Sequence, residues 1–213
     1  VLGHTGWGEM LFMRQVLPGA RLIGFNELYY QASGGDVDFD PEFPAEPGAA
    51  QRLQVRNLHL SGSLMACDAA VTPTQWQASC FPPVLRERMQ VIHDGIDTDR
   101  LVPDATARIQ LGQAGVRLQA GDEVITFVNR NLEPMRGYHQ FMRALPEILH
   151  RRPQARVVIV GGDEVSYGAR PPGGGNWKDK LIDEVRPRIP EVDWQRVHFV
   201  GKLAYDHYLS LMQ

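Results

Sequence analysis

Three short runs dense in β-branched and aromatic residues most constrain this chain: EVITFV at 123–128, ARVVIV at 155–160 and RVHFV at 196–200. None alternates with polar residues, so each predicts a strand buried on both faces, as in a parallel sheet covered by helices. Between the first two, Tyr138, Phe141, Met142, Leu145, Ile148 and Leu149 recur at helical spacing and give one apolar face. His150, Arg151 and Arg152 then complement the negative end of the helix dipole, and Pro153 stops the helix. Pro146 lies inside this pattern and removes one backbone hydrogen bond. Leu181, Ile182 and Val185 mark a second helix, which Pro187 ends. A βαβαβ alternation implies parallel strands joined by right-handed crossovers.

The first half is less regular. Strands are predicted at 20–25, 69–72 and 90–93, and helices at 9–17, 49–67 and 75–80. Thr74 and Gln77 have capping-box spacing for the last helix. Residues 31–48 are acidic and rich in Gly and Pro, which predicts a loop, and 166–176 predicts a second, mobile one. The fold class is therefore α/β, with two Rossmann-like βαβ portions. Both are expected to be incomplete, because the pattern is already under way at Val1 and still running at Gln213.

Composition excludes several classes. With 213 residues, 43% hydrophobic and a net charge of −3, the chain reads as globular, with no global field favouring nucleic acid. Cys67 and Cys80 lack CxxC spacing and a matching His cluster, so reduced thiols and a cytoplasmic setting are expected. No apolar run approaches the roughly 20 residues that span a bilayer.

Parallel strands present their carboxyl ends on one edge, where ligands of open α/β sheets bind. Arg130 and Arg136 follow the first strand, Gly161-Gly162-Asp163 the second and Gly201-Lys202 the third. Two guanidiniums of fixed fork geometry suit a diphosphate, and glycines allow close backbone approach. Taken singly, each arginine reads equally as a solvated surface residue. Asp36-Val37-Asp38 has the spacing of a cation-binding carboxylate pair, but an acidic loop is ordinarily solvated and no metal site is assigned. The run Gly173-Gly174-Gly175 lacks the lysine-hydroxyl ending of a P-loop, and no GxGxxG joins a strand to a helix.

Two segments go further: VIHDGIDTDRLVPD (91–104) and VITFVNRNLEPMRG (124–137). Together they resemble the hinge and diphosphate-binding loop of retaining glycosyltransferases of the GT-B fold, family-4 type. His93-Asp94-Gly95 replaces that family's usual Pro-Asn-Gly, and Arg136 stands where it usually has lysine. VLGHTGWGE, ARLIGFNELYY and CDAAVTPTQW resemble its earlier strands.

The resemblance implies an acceptor-side domain and hinge at 1–98 and the first half of a nucleotide-sugar domain at 99–213, as a truncated fragment. It implies that Arg130, Arg136, Gly161, Gly162 and Lys202 bind the donor and that His4 is catalytic beside the sugar. A nucleoside-diphosphate sugar is the donor substrate, the only small molecule implied besides an acceptor, and neither cofactor nor metal is expected. The reaction would be sugar transfer to an acceptor hydroxyl with retention. The acceptor (glycan, lipid or protein) stays open, nucleic acid is not expected as a partner, and peripheral membrane association of the full-length protein is allowed. The fragment alone is expected to be inactive. The rival reading is a non-catalytic nucleotide- or carbohydrate-binding module on the same scaffold.

Overall fold

The structure is a computed structural model describing residues 1–111 and 115–213. It divides into two compact units, Val1–Gly95 and Ile96–Gln213.

The first unit is built on a four-stranded parallel sheet in the order β1 (Leu2–His4), β2 (Ile23–Phe25), β3 (Ala69–Thr72) and β4 (Met89–Val91). The strands at 20–25 and 90–93 are therefore shorter than the sequence suggests. One face carries Gly3, Gly24 and Ala70, and these small residues let neighbours approach closely. A Cβ on Gly3 would sit 2.2 Å from the Met10 sulfur, and one on Gly24 would sit 3.1 Å from that of Cys67. Residues 9–17 do not form the single helix expected. A 3-10 turn at Glu9–Leu11, which buries Met10, and a short helix α1 (Met13–Val16) meet at the exposed Phe12.

Helix α2 (Ala49–Ala66) buries Leu53, Asn57, Leu60, Ser63 and Leu64 along one stripe. Asn57 exchanges two 2.9 Å hydrogen bonds with the Tyr30 backbone, tying the segment after β2 to the helix. Short helices α3 (Gln75–Ser79) and α4 (Pro83–Arg86) follow β3. The Thr74 hydroxyl accepts from the Gln77 N–H as predicted, but the Gln77 side chain departs from the reciprocal box. Its Oε1 accepts from the Thr74 hydroxyl and its Nε2 donates to the Glu27 carbonyl.

The second unit contains the three predicted strands in parallel, ordered β7 (Val124–Asn131), β8 (Arg156–Gly162) and β9 (Val197–Gly201). Strand β8 is central and buried on both faces, as its unbroken apolar sequence requires. Val157 and Ile159 pack with residues of α5 (Tyr138–Arg151) and α6 (Trp177–Val185). Val158 and Val160 face the other way, into a second cluster. That cluster includes Ile109, Leu111 and Leu118 from an antiparallel hairpin, β5 (Arg108–Leu111) and β6 (Val116–Gln119). A short helix α7 (Glu191–Trp194) precedes β9, and α8 (Tyr205–Met212) adds Leu211 to the second cluster. The hairpin is absent from the sequence reading; residues 112–114 lie outside the described residues. Helix α5 runs through Pro146, and α6 ends at Val185 just before Pro187. Among the described residues no helix is long and apolar enough to cross a membrane.

Candidate functional site

The carboxyl edge of the second unit's sheet gathers the five residues assigned there. Its geometry is set by two irregularities. Val128 pairs with Val160 and Asn131 with Gly162, so Asn129 and Arg130 together oppose Gly161 alone. On the other side Ile159 pairs with Phe199 but Val160 with Gly201, which leaves Val200 as the extra residue. Each outer strand thus carries a one-residue bulge at its last turn of ladder. Bulges bend a strand and re-aim side chains, and they are frequent beside binding sites. Arg130 is lifted out of the regular alternation and stands exposed, and among the described residues its guanidinium has no hydrogen-bond or ion-pair partner.

The two glycines of β8 are needed for space. A Cβ on Gly161 would lie 2.8 Å from a Leu132 methyl and 3.1 Å from the Asn129 carbonyl oxygen. On Gly162 it would lie 2.6 Å from Asn131 Oδ1 and 2.7 Å from Lys202 Cε. Lys202 is therefore stacked directly beside Gly162, its ammonium exposed. Gly201, with φ of 66°, makes the turn that places it. The Asn131 amide donates to the Ser166 hydroxyl at 2.9 Å, whereas its Oδ1 is buried with no partner among the described residues.

Arg136 closes a 3-10 turn at Pro134–Arg136, and Gly137 follows at φ 76°, acting as the N-cap of α5 without any side-chain cap bond. The positive end of that helix therefore opens at the same edge as the arginines. The macrodipole favours an anion there, while the Tyr138 N–H of the first turn donates to the Glu133 carbonyl at 3.4 Å. The Arg136 guanidinium lies 4.9 Å above the Tyr167 ring. Two acidic residues that follow β8 are paired with cations: Asp163 with Lys178 at 3.3 Å and Glu164 with Arg170 at 2.7 Å.

Sequence reasoning missed Glu133. It is fully buried, and its carboxylate accepts from the backbone N–H groups of Ser166, Tyr167 and Gly168 at 3.0 to 3.4 Å. The start of the 166–176 loop, expected to be mobile, is thereby fastened to the end of β7. Trp177 Nε1 donates to the Ala169 carbonyl at 2.8 Å and secures the next residue. No spacing rule would have paired Glu133 with amides 33 residues away. Its position between Leu132 and Pro134 was the only trace.

The first unit has its own edge. His4 ends β1 and its Nδ1 accepts from the Gly6 N–H at 2.9 Å. That contact places the ring proton on Nε2, which lies 3.0 Å from Glu27 Oε2 and donates to it. The rings of Trp7 and Phe25 stand 5.6 and 5.8 Å from the imidazole. Trp7 is 76% exposed, in the turn between Gly6 and Gly8. Glu27 is the residue here that no motif or spacing singled out. Together these groups offer a carboxylate, an oriented imidazole and an aromatic face.

Residues 1–101 match the family described as the glycosyl transferase family 4 group. The chain is 35% identical over 160 residues to the GDP-mannose-dependent alpha-(1-6)-phosphatidylinositol monomannoside mannosyltransferase of Mycobacterium tuberculosis. That alignment spans 75% of this chain and 38% of the relative. The Mycolicibacterium smegmatis protein of the same name is 35% identical over 85 residues, 40% of this chain and 21% of that one. The chain thus spans well under half the length of these curated relatives. Among solved structures, sucrose-phosphate synthase from Thermosynechococcus elongatus superposes with a TM-score of 0.59 at 18% identity, covering 99% of this chain and 47% of that one. A UDP-forming alpha,alpha-trehalose-phosphate synthase from Burkholderia xenovorans gives 0.56 at 9% identity, covering 99% and 50%. At such identities the structures speak for the fold, and that fold is the expected GT-B α/β architecture.

Proposed function

We propose, for a chain that belongs to the family-4 glycosyltransferases of the GT-B fold, that its second unit binds the diphosphate of a nucleoside-diphosphate sugar. The protein would transfer that sugar to an acceptor hydroxyl with retention of configuration. One observation carries the reading. Two bulges, two space-limited glycines and an uncapped helix N-terminus converge with Arg130, Arg136 and Lys202 on a single sheet edge.

The chemistry follows from charge. As the glycosidic bond breaks, negative charge accumulates on the departing diphosphate. Preorganised cations and N–H dipoles then stabilise the transition state more than the ground state. Arg130 and Arg136 supply planar, always-charged donors; Lys202 supplies a point charge; the α5 N-terminus supplies the positive end of its dipole. With three side-chain cations at the leaving group, the reaction would proceed without a divalent ion. His4, held by Gly6 and Glu27, is assigned beside the transferred sugar. Its Nε2–H is engaged by Glu27, so it would act as an oriented donor shared with that carboxylate.

Calorimetric titration with GDP, UDP and ADP tests the binding half. The donor panel begins with GDP-mannose, because the curated relatives are named for it. Arg130→Ala and Arg136→Ala should each weaken binding by roughly 1.5–3 kcal/mol, the scale of hydrogen bonds to charged groups. Equal affinity in wild type and both variants would remove the assignment. Turnover with and without a chelator, measured on a protein spanning the whole length of the curated relatives, together with the anomeric configuration of the product, would decide metal dependence and retention. If, in a protein spanning the whole length of the curated relatives, nucleotide binds but no donor is consumed, the non-catalytic binding module is the better description.

A further inference from the structure

The most unusual group in the second unit is the Glu133 carboxylate. It has no exposed surface, yet among the described residues no cationic side chain pairs with it. Its partners are backbone amides: Ser166 N–H at 3.0 and 3.1 Å to the two oxygens, Tyr167 N–H at 3.4 Å and Gly168 N–H at 3.1 Å. Successive N–H groups turned onto one anion form a concave cradle, and here the chain supplies its own anion. Gly168 is confined by the same contact, since a Cβ there would lie 3.2 Å from Glu133 Oε2.

The cradle fixes the backbone on both sides of Tyr167. That side chain is 59% exposed and lies beneath the Arg136 guanidinium at 4.9 Å. Glu133 is also the residue just before the turn that carries Arg136, and the Arg136 N–H donates to its carbonyl at 3.0 Å. One residue therefore sets the backbone from which Arg136 projects and the ring on which Arg136 rests.

We propose that Glu133 is a positioning residue for Arg136: by clamping Ser166–Gly168 it holds the Tyr167 ring as a platform for the guanidinium at the anion edge. Tyr167 is the second member of the device. The role rests on the diphosphate reading of that edge, but the clamp itself can be observed without any ligand. A long, otherwise unpartnered Arg side chain loses rotamer freedom when it binds an anion, and a platform that restrains it beforehand reduces that cost.

The test combines two readouts on the 213-residue chain. Proton resonances of the Arg136 side chain should show an upfield ring-current displacement in wild type and in Tyr167→Phe, and lose it in Tyr167→Leu and Glu133→Gln. Gln keeps the size of Glu133 but turns an amide N–H₂ toward backbone donors. Affinity for inorganic pyrophosphate and for nucleoside diphosphates should fall about 3–5-fold in Tyr167→Leu and in Glu133→Gln, the scale of an exposed cation–π contact. Tyr167→Phe should retain wild-type affinity. In an Arg136→Ala background, neither Tyr167→Leu nor Glu133→Gln should weaken binding further, because neighbours acting as one unit are non-additive. An unmoved Arg136 resonance in Glu133→Gln, or losses that simply add to Arg136→Ala, would overturn the proposal. If wild type binds no diphosphate, the functional reading fails, and the resonance arm still decides the clamp.

Discussion

The two parallel sheets obey one rule with different completeness. In the second unit, β8 is covered on both faces: Val157 and Ile159 by the helix cluster, Val158 and Val160 by the hairpin cluster. In the first unit the face bearing Gly3, Gly24 and Ala70 is the better packed, and the opposite face holds His4, Phe25 and Val71 only half-buried. On that opposite face Leu2 is 65% exposed and Ile23 38%. Strand length follows coverage, with eight, seven and five residues in β7 to β9 against three or four in β1 to β4. A strand gains from length when each added residue buries a side chain on one face or the other. The well-covered sheet is also the one that carries two bulges at its ligand edge, irregularities that a thinly packed sheet is poorly placed to hold.

The sharpest way to break this comparison is to cut matching holes. Ile159→Ala removes a fully buried side chain from the helix-side cluster and should cost about 2–5 kcal/mol. Ile23→Ala removes one that water already reaches and should cost less than about 1 kcal/mol. Amide exchange resolved by unit is the appropriate measurement, since two units need not unfold together. Comparable losses would mean that the open face of the first sheet is covered in solution.

That contrast also explains how much was legible in the sequence. The three parallel strands of the second unit announced themselves because burial makes their sequences nearly continuous runs of apolar residues. The α5 stripe was equally plain. Arg130, Arg136, the glycine pair and Lys202 could be placed on one edge because parallel strands leave their carboxyl ends together. The bulges could not be foreseen, because they arise from register between strands about thirty residues or more apart. The hairpin escaped notice because each strand shows only two alternating apolar positions, Ile109 with Leu111 and Val116 with Leu118. Glu27 and Glu133 were silent for a common reason: each works through a partner brought in by the fold, His4 for one and the 166–168 amides for the other.

A smaller effect is expected from pH, again in the second sheet. His198 lies on β9, and burial lowers its pKa from 6.5, with the Arg156 charge acting in the same direction. A depressed folded pKa means that the unfolded chain takes up the proton first as pH falls. Stability is therefore full above about pH 6.5 and declines as pH drops from there toward the folded pKa. His198→Gln should flatten the profile over that window. Beside the first sheet, the Asp68 carboxyl is held below its usual pKa, mainly by its hydrogen bond from Arg14 and then by the Leu22 N–H. Its contribution is present above about pH 3.8 and is lost as pH falls below that, a separate and more acidic window. A melting curve in which His198→Gln leaves the pH 5 to 7 slope unchanged would assign that slope to other groups.

The smallest effect compares one buried hydroxyl from each sheet. Tyr138 Oη and Thr72 Oγ1 are both buried and, among the described residues, neither has a hydrogen-bond partner. Burial, with the nearby Asp163 and Asp179 charges, holds the Tyr138 phenol well above its usual pKa, so it stays neutral and contributes no charge to the site. An unpartnered buried hydroxyl costs desolvation without return, of order 1–3 kcal/mol before relaxation. The ring itself is well used, packing tilted against Phe127 at 5.6 Å. Tyr138→Phe keeps that packing and removes only the oxygen, so stability should rise slightly, by about 1 kcal/mol or less. Thr72→Val is the matching change on β3. Its gain should be no larger, because the thinner first sheet can admit water to the hydroxyl more easily. Thermal melts of the two variants, each read through its own unit, make the comparison. A clear loss in Tyr138→Phe would show that the phenol has a partner, and a clear gain in Thr72→Val beyond that of Tyr138→Phe would show that the first sheet is the drier of the two.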